Sequence, residues 1–474
     1  MRGARPGDVR VRIPSAARTS SEHLEPLRPW RRRTSPGLLL IYGFLILILV
    51  GTALLALPIS TQDRSWTALA DALFTATSAV CVTGLTVVDT AHHWSAFGQV
   101  VILLLVQAGG FGIMAGSTLI VLLLRGRRRV GLADRIAVQQ TTGELRLGGV
   151  LGVVRNVALF SLGLEAVGAV VLALGFTVSG FVDTPLQAAW FGVFHAVSAF
   201  NNAGFDLIGP DSLAPVQGEW WILLPLAALI LVGSVGFAVV ADVTTRRSWR
   251  RLTVESRMVL LTTTAIVAIG SLAFLALEWV APDTLGALPP EQRPLAALFE
   301  AVSLRTAGFS TMPVDALAQT TLFVVMAMMF VGGASGSTAG GIKVTTFSVL
   351  FASILATARG DSSPSAFGRR FGTDLVYRAL TVALLAIAFL FVTALLLNVF
   401  TPASFVHVLF ESTSALATAG GSTGVTGSAD TVGRLVIIAA MFIGRLGPLT
   451  LVLVLTARAR PAPYRHALET IRIG

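Results

Sequence analysis

Cysteine is almost missing from this chain: Cys81 stands alone in 474 residues, which excludes a disulfide framework and any multi-cysteine metal site. Charge is scarce as well. Only 13% of the residues are charged against 54% hydrophobic, and the mean hydropathy is +0.78, so the chain cannot solvate a globular surface and takes the bilayer as its solvent. Lysine is missing but for Lys343, the single one among 35 basic residues. The six histidines form no HExxH pattern, and no span carries arginine at every third position, which excludes a zinc protease and a voltage sensor. The net charge of +10 lies in short blocks between apolar runs rather than along one face, so it does not mark a nucleic-acid surface.

The blocks read instead as topology. Of the 34 arginines, 29 fall in the N-terminal arm, in 125–155, 246–257 and 359–378, and after residue 457, while Arg64, Arg293 and Arg434 fall in the alternate loops. The positive-inside rule then places both termini in the cytoplasm of a multi-pass plasma-membrane protein and requires an even number of spans. Eight apolar stretches near 36–57, 97–124, 149–178, 219–242, 257–280, 319–352, 374–400 and 431–456 satisfy that parity. Residues 1–34, rich in arginine and without periodicity, read as a disordered cytoplasmic arm drawn to anionic membrane lipid, and residues 458–474 as a cytoplasmic tail.

Between paired spans lie shorter segments that repeat. Each holds Phe, three residues, then Ser: Phe74 to Ser78, Phe194 to Ser198, Phe299 to Ser303 and Phe410 to Ser414. Each reaches a glycine ten residues past the Phe (Gly84, Gly204, Gly420) or nine past it (Gly308). The spacing predicts an all-α membrane protein of four pseudo-repeated helix, pore-loop, helix units around one central pore. The units run 35–135, 136–246, 247–372 and 373–457, the third with a broken inner helix.

The loops end Cys81-Val82-Thr83-Gly84, Asn201-Asn202-Ala203-Gly204, Arg305-Thr306-Ala307-Gly308 and Ala417-Thr418-Ala419-Gly420, with no carboxylate among them. Stripping an ion of water costs on the order of 20 kcal/mol in the idealised Born limit, so main-chain carbonyls must replace its hydration. Glycine permits the positive φ that turns successive carbonyls to one axis. Arg305 would repel a cation there, so it is expected to point behind the loop toward a carboxylate, Glu300 or Glu411. The sixth stretch is broken by the run Gly332-Gly333-Ala334-Ser335-Gly336-Ser337-Thr338-Ala339-Gly340-Gly341, too rich in glycine for a continuous helix. No Gly-Lys-Ser/Thr follows, since the order is Gly341-Ile342-Lys343, and this excludes a nucleotide-binding P-loop. Lys343 and Arg445, mid-membrane charges, are expected to face the conduit.

The strings Ser78–Leu85 (SAVCVTGL), Arg305–Phe309 (RTAGF), Gly332–Lys343 (GGASGSTAGGIK) and Met441–Thr450 (MFIGRLGPLT) resemble the Trk/Ktr/HKT superfamily of potassium transporters, and its Ktr branch above all. The resemblance covers nearly everything from residue 36 onward. It implies a transporter and not an enzyme, with no catalytic residues and no cofactor bound by this chain. Potassium would be its substrate and sodium its activator. Gly84, Gly204, Gly308 and Gly420 would be selectivity-filter glycines, and Val82, Thr83, Asn202, Ala203, Thr306, Ala307, Thr418 and Ala419 would lend carbonyls. Gly332, Gly333, Ser335, Gly336, Ser337, Thr338, Gly340 and Gly341 with Lys343 and Arg445 would form the gate. The implied partners are a second copy of the chain and a cytoplasmic ring of nucleotide-binding regulatory subunits. Gly421 departs from the family pattern, which carries a bulky apolar residue there. Alternative readings are a Trk-type proton-linked potassium transporter and a secondary transporter of another solute, the latter disfavoured because the repeats run parallel rather than inverted.

Overall fold

The computed structural model describes residues 36–127 and 147–447. The arm 1–34, the boundary at 135/136 and the tail 458–474 lie outside the described residues.

The regular structure of the described residues is helical apart from one short hairpin, Ser365–Ala366 with Arg369–Arg370, and two isolated bridges, Thr61 with Trp94 and Val331 with Ile342. In order, the helices of ten or more residues are α1 Pro36–Ala56, α2 Leu69–Cys81, α3 Ala96–Arg127, α4 Leu147–Val178, α5 Pro185–Phe200, α6 Trp220–Val235, α7 Phe237–Arg246, α8 Val254–Glu278, α9 Arg293–Thr306, α10 Gln319–Phe330, α11 Val344–Arg359, α12 Thr373–Phe400, α13 Phe405–Ala417 and α14 Thr431–Leu446. Two start signals are plain in the sequence. The Thr184 side chain accepts from the Gln187 amide with Pro185 opening α5, and Asp430 accepts from the Gly433 amide at 2.7 Å at the start of α14.

Among the described residues, Val154–Val178, Val254–Glu278 and Thr373–Phe400 are each long and apolar enough to cross a bilayer. A fourth such segment, α6 with α7, is bent by 95° where the sequence suggests one straight span. The bend sits at Gly236, whose φ of +83° stops α6 and starts α7. The sixth stretch is broken as expected, into α10 and α11 joined by 331–343. On α12, Leu384, Phe391 and Leu395 are exposed, as an outer, lipid-facing helix requires.

The short helices α2, α5, α9 and α13 occupy equivalent places, each against the long helix before it. Each also packs on the inner helix of the unit before: α3 on α5, α6 on α9, α10 on α13, and α14 back on α2. The phenylalanines of the repeat explain this order. Phe74, Phe194, Phe299 and Phe410 are all fully buried, and each enters the apolar core of the preceding unit rather than its own. Phe194 thus lies with Phe44 and Ile102 of the first unit, and Phe74 with Ile437 and Met441 of the fourth. Four identical insertions in one rotational sense close a ring.

Candidate functional site

The centre of that ring is built from the glycines. A Cβ placed on Gly84 would strike the carbonyl oxygen of Ala203, one on Gly204 that of Ala307, and one on Gly420 that of Thr83. On Gly308 it would lie 2.6 Å from Gly420 Cα and 2.7 Å from Ala419 O. Each glycine therefore abuts the residue before the glycine of the next loop, in the order one, two, three, four, one. All four have φ between +74° and +87°, where a side chain is strained even without a neighbour.

Three of the loops end their helix in one way. Val82, Asn202 and Thr418 take φ of +54°, +59° and +48°, and the next amide donates back five residues to the repeat serine: Thr83 to Ser78 O, Ala203 to Ser198 O and Ala419 to Ser414 O, at 2.8–2.9 Å. This is a Schellman cap in which a non-glycine residue adopts the left-handed turn. The third loop lacks that residue. Thr306 is still helical, and the amides of both Ala307 and Gly308 donate to Ser303 O, at 2.7 and 2.9 Å. Its one-residue deletion thus removes the left-handed turn and leaves the glycine in register.

On one side of the ring the four glycines line a cavity of about 620 Å³, with Asp89, Asp206, Asp211 and Asp315 around it. Asp206 accepts from the amides of Ile208 and Gly209 and from the Ser212 hydroxyl. Burial is the larger influence and, with Asp89 nearby, pushes its carboxyl up to about 6.

On the other side the segment 331–343 closes against the ring. Gly340 approaches Thr418 Oγ1 and the Ala417 carbonyl so closely that no Cβ fits. Thr338 Oγ1 accepts from Asn202 Nδ2 at 2.8 Å, and the Thr338 amide donates to Gly233 O at 3.2 Å. Ser335 is the exposed tip, while Gly332, Gly333, Ser337, Thr338 and Gly340 are buried, and Gly336 and Gly341 have φ of +78° and +70°. Arg445 donates to Thr338 O at 2.5 Å and to Gly109 O at 3.1 Å, and Lys343 Nζ donates to Ala339 O at 2.7 Å. Both cations are thus bonded to carbonyls of this segment.

Arg305 corrects the sequence expectation. It bonds neither Glu300 nor Glu411; its Nε and Nη2 donate to the carbonyls of Val331 and Gly332, at 3.2 and 2.5 Å. The two carboxylates brace backbone instead. Glu300 accepts from the Thr311 amide at 2.6 Å and from the Ser310 and Thr311 hydroxyls, and Glu411 from the amides of Thr423 and Thr426 at 3.1 Å and from the Ser422 hydroxyl. In the second unit the residue after the repeat phenylalanine is His195, whose Nε2 receives the Leu207 amide at 3.4 Å. A polar residue directly after each phenylalanine was the available signal.

A second set escaped sequence reasoning. The inner helices of the first, second and fourth units carry Gly109/Gly112, Gly233/Gly236 and Gly444/Gly447 at one spacing, within or at the end of the helix. A Cβ on Gly109, Gly233 or Gly444 would strike the carbonyl of Val80, Phe200 or Leu416, which stands four residues before the ring glycine. These glycines let the inner helices reach the C-terminal ends of the short ones.

The family model described as TrkH, a cation transport protein, matches residues 33–462. The chain belongs to the TrkH family. This member is 39% identical over 424 residues to the Ktr system potassium uptake protein B of Bacillus subtilis, covering 89% of this chain and 93% of that protein. It is 35% identical over 451 residues to the potassium/sodium uptake protein NtpJ of Enterococcus hirae, covering 94% and 98%. The fold of this TrkH-family chain is also that of the potassium transporter TrkH from Vibrio parahaemolyticus, with a TM-score of 0.70 at 19% identity over 90% of this chain and 86% of that one. The helical transporter fold expected from the sequence is therefore present.

Proposed function

We propose that this chain is the pore of a potassium uptake system in the plasma membrane, both termini cytoplasmic. The closed cycle of four positive-φ glycines, each seated on the carbonyl of the next loop, carries the reading. Dehydrated potassium passes along the carbonyls of Val82, Thr83 and Gly84, Asn202, Ala203 and Gly204, Thr306, Ala307 and Gly308, and Thr418, Ala419 and Gly420. Interlocked backbones keep these oxygens at fixed separation, which is what replaces the hydration shell at little reorganisation cost. The C-terminal ends of α2, α5, α9 and α13 add partial negative charge toward the same place.

The segment 331–343 is the gate. It fills the space beneath the ring, and its displacement must break the bonds that Arg305 and Arg445 make to its carbonyls. Sodium stimulates uptake in this reading, and the name "Ktr system" agrees with a regulatory partner, here a cytoplasmic nucleotide-binding ring acting on a dimer of pores. Rubidium uptake into potassium-starved cells, with and without sodium, tests the reading. Uptake that rises with sodium and is lost with Gly84→Val, Gly204→Val or Gly308→Val supports it; unchanged ion discrimination in all three valine variants overturns it.

A further inference from the structure

The second loop differs from the others in what its side chains hold. Asn202 is fully buried. Its Oδ1 accepts from the Thr306 hydroxyl at 2.8 Å, and its Nδ2 donates to Thr338 Oγ1 at 2.8 Å and to the carbonyl two residues before it, Phe200 O, at 3.3 Å. One carboxamide therefore spans the second loop, the third loop and the segment beneath both. At the equivalent positions, Val82 offers no polar atom, and Thr418 packs on Gly340 without a hydrogen bond from its hydroxyl. The residue before, Asn201, is fixed from behind: its Nδ2 donates to Gln107 Oε1 at 2.9 Å and to Glu165 Oε1 at 3.1 Å. Glu165 is a buried carboxylate within α4 that the sequence reading did not single out. The back of the loop is thus tied to helices α3 and α4, and its front to a segment that the proposed function requires to move.

A bond across two elements of which one moves makes the state of each depend on the other, and the dependence is reciprocal. We infer that the Asn202 side chain is a positioning residue that couples ion affinity in the ring to the position of the 331–343 segment, with Thr338 and Thr306 as its partners outside its own loop. When Thr338 leaves, Asn202 keeps Thr306 but loses its lower anchor, and the carbonyls at the inner end of the ring relax. By the same linkage, an ion that binds the docked ring more tightly than the relaxed one resists opening. The inference rests on the proposed potassium pore and its gate.

Rubidium influx into proteoliposomes holding the full chain without any partner tests it, on Thr338→Val, Thr338→Ser and a chain lacking 335–337. Thr338→Val keeps shape and every carbonyl while removing the hydroxyl. The expected result is a rise of at least threefold in resting flux together with a shift of at least threefold in KM for rubidium, both returned toward wild type by Thr338→Ser. In the shortened chain, Thr338→Val should add no further KM shift. Either change without the other, or neither, overturns the coupling and leaves the pore reading standing. A shortened chain with wild-type resting flux overturns the gate itself. Thr306→Val, which cuts the other end of the bridge, should shift KM as well and serves if Thr338→Val does not fold.

Discussion

A glycine in this protein is defined by what stands next to it. Gly204 has both a positive φ and a carbonyl of the next loop where its Cβ would be, so Gly204→Ala incurs about 1–2 kcal/mol of backbone strain and a displaced Ala307 oxygen as well. Rubidium uptake should fall at least tenfold in Gly204→Ala, and the residual flux should discriminate less against sodium. Gly180 also has positive φ but nothing within 4 Å of its Cβ, so Gly180→Ala should cost stability alone and leave uptake unchanged. Asp206 gives the pH dependence. Its carboxyl, pushed up to about 6 by burial, is charged above that pH and neutral below it. As pH on that side of the ring falls from 7 to 5 the cavity loses negative charge, and uptake from low potassium should fall. Asp206→Asn should start at the lower level and show a flatter profile across the same window.

The elements show what could be read in advance and what could not. The repeat glycines and the broken sixth stretch were legible because backbone needs, positive φ and helix interruption, leave a mark on residue type at fixed spacing. The direction of a side chain leaves none: Arg305 could have faced Glu300, Glu411 or a carbonyl, and only packing chose Val331 and Gly332. Removing its two bonds should free the start of the 331–343 segment, so on the proposed gating role Arg305→Ala is expected to raise resting flux in reconstituted protein. The departure at Gly421 has its reason at this scale too. Leu85, Phe205 and Phe309 follow their glycines into the core of the preceding unit, but the space beside Gly421 is filled by Met329 and Leu304, at 2.8 and 3.0 Å from where a Cβ would be. Gly421→Leu alone overpacks the site, by about 1–3 kcal/mol. Combined with Met329→Ala it should recover most of that loss in thermal unfolding of the purified protein; an additive double variant would show that Met329 does not fill the place.

For the whole molecule the question is what joins the last unit to the first, since no loop connects them. Among the contacts that cross that seam are the ion pair of Arg434 with Asp71, 363 residues apart, and Phe74 in the core of the fourth unit. The sequence showed four like units but not which packs on which, because a ring of like parts can turn either way and the same phenylalanines serve both. Magnitudes separate the two contacts. The ion pair is about a fifth exposed at each partner, and such pairs contribute about 0.2–1 kcal/mol once screening and side-chain entropy are counted. Phe74 is fully buried, and truncating such a ring to alanine costs about 3–5 kcal/mol. Closure should therefore rest on packing. A double-mutant cycle on Asp71→Ala and Arg434→Ala should give a coupling no larger than about 1 kcal/mol and leave rubidium uptake near wild type. Phe74→Ala should lower the unfolding temperature more than the double charge variant does, and should reduce uptake with it, because the first loop loses its seat while its four ring residues are untouched. Equal losses for the two would mean that the seam is held by charge, against the burial seen at Phe74.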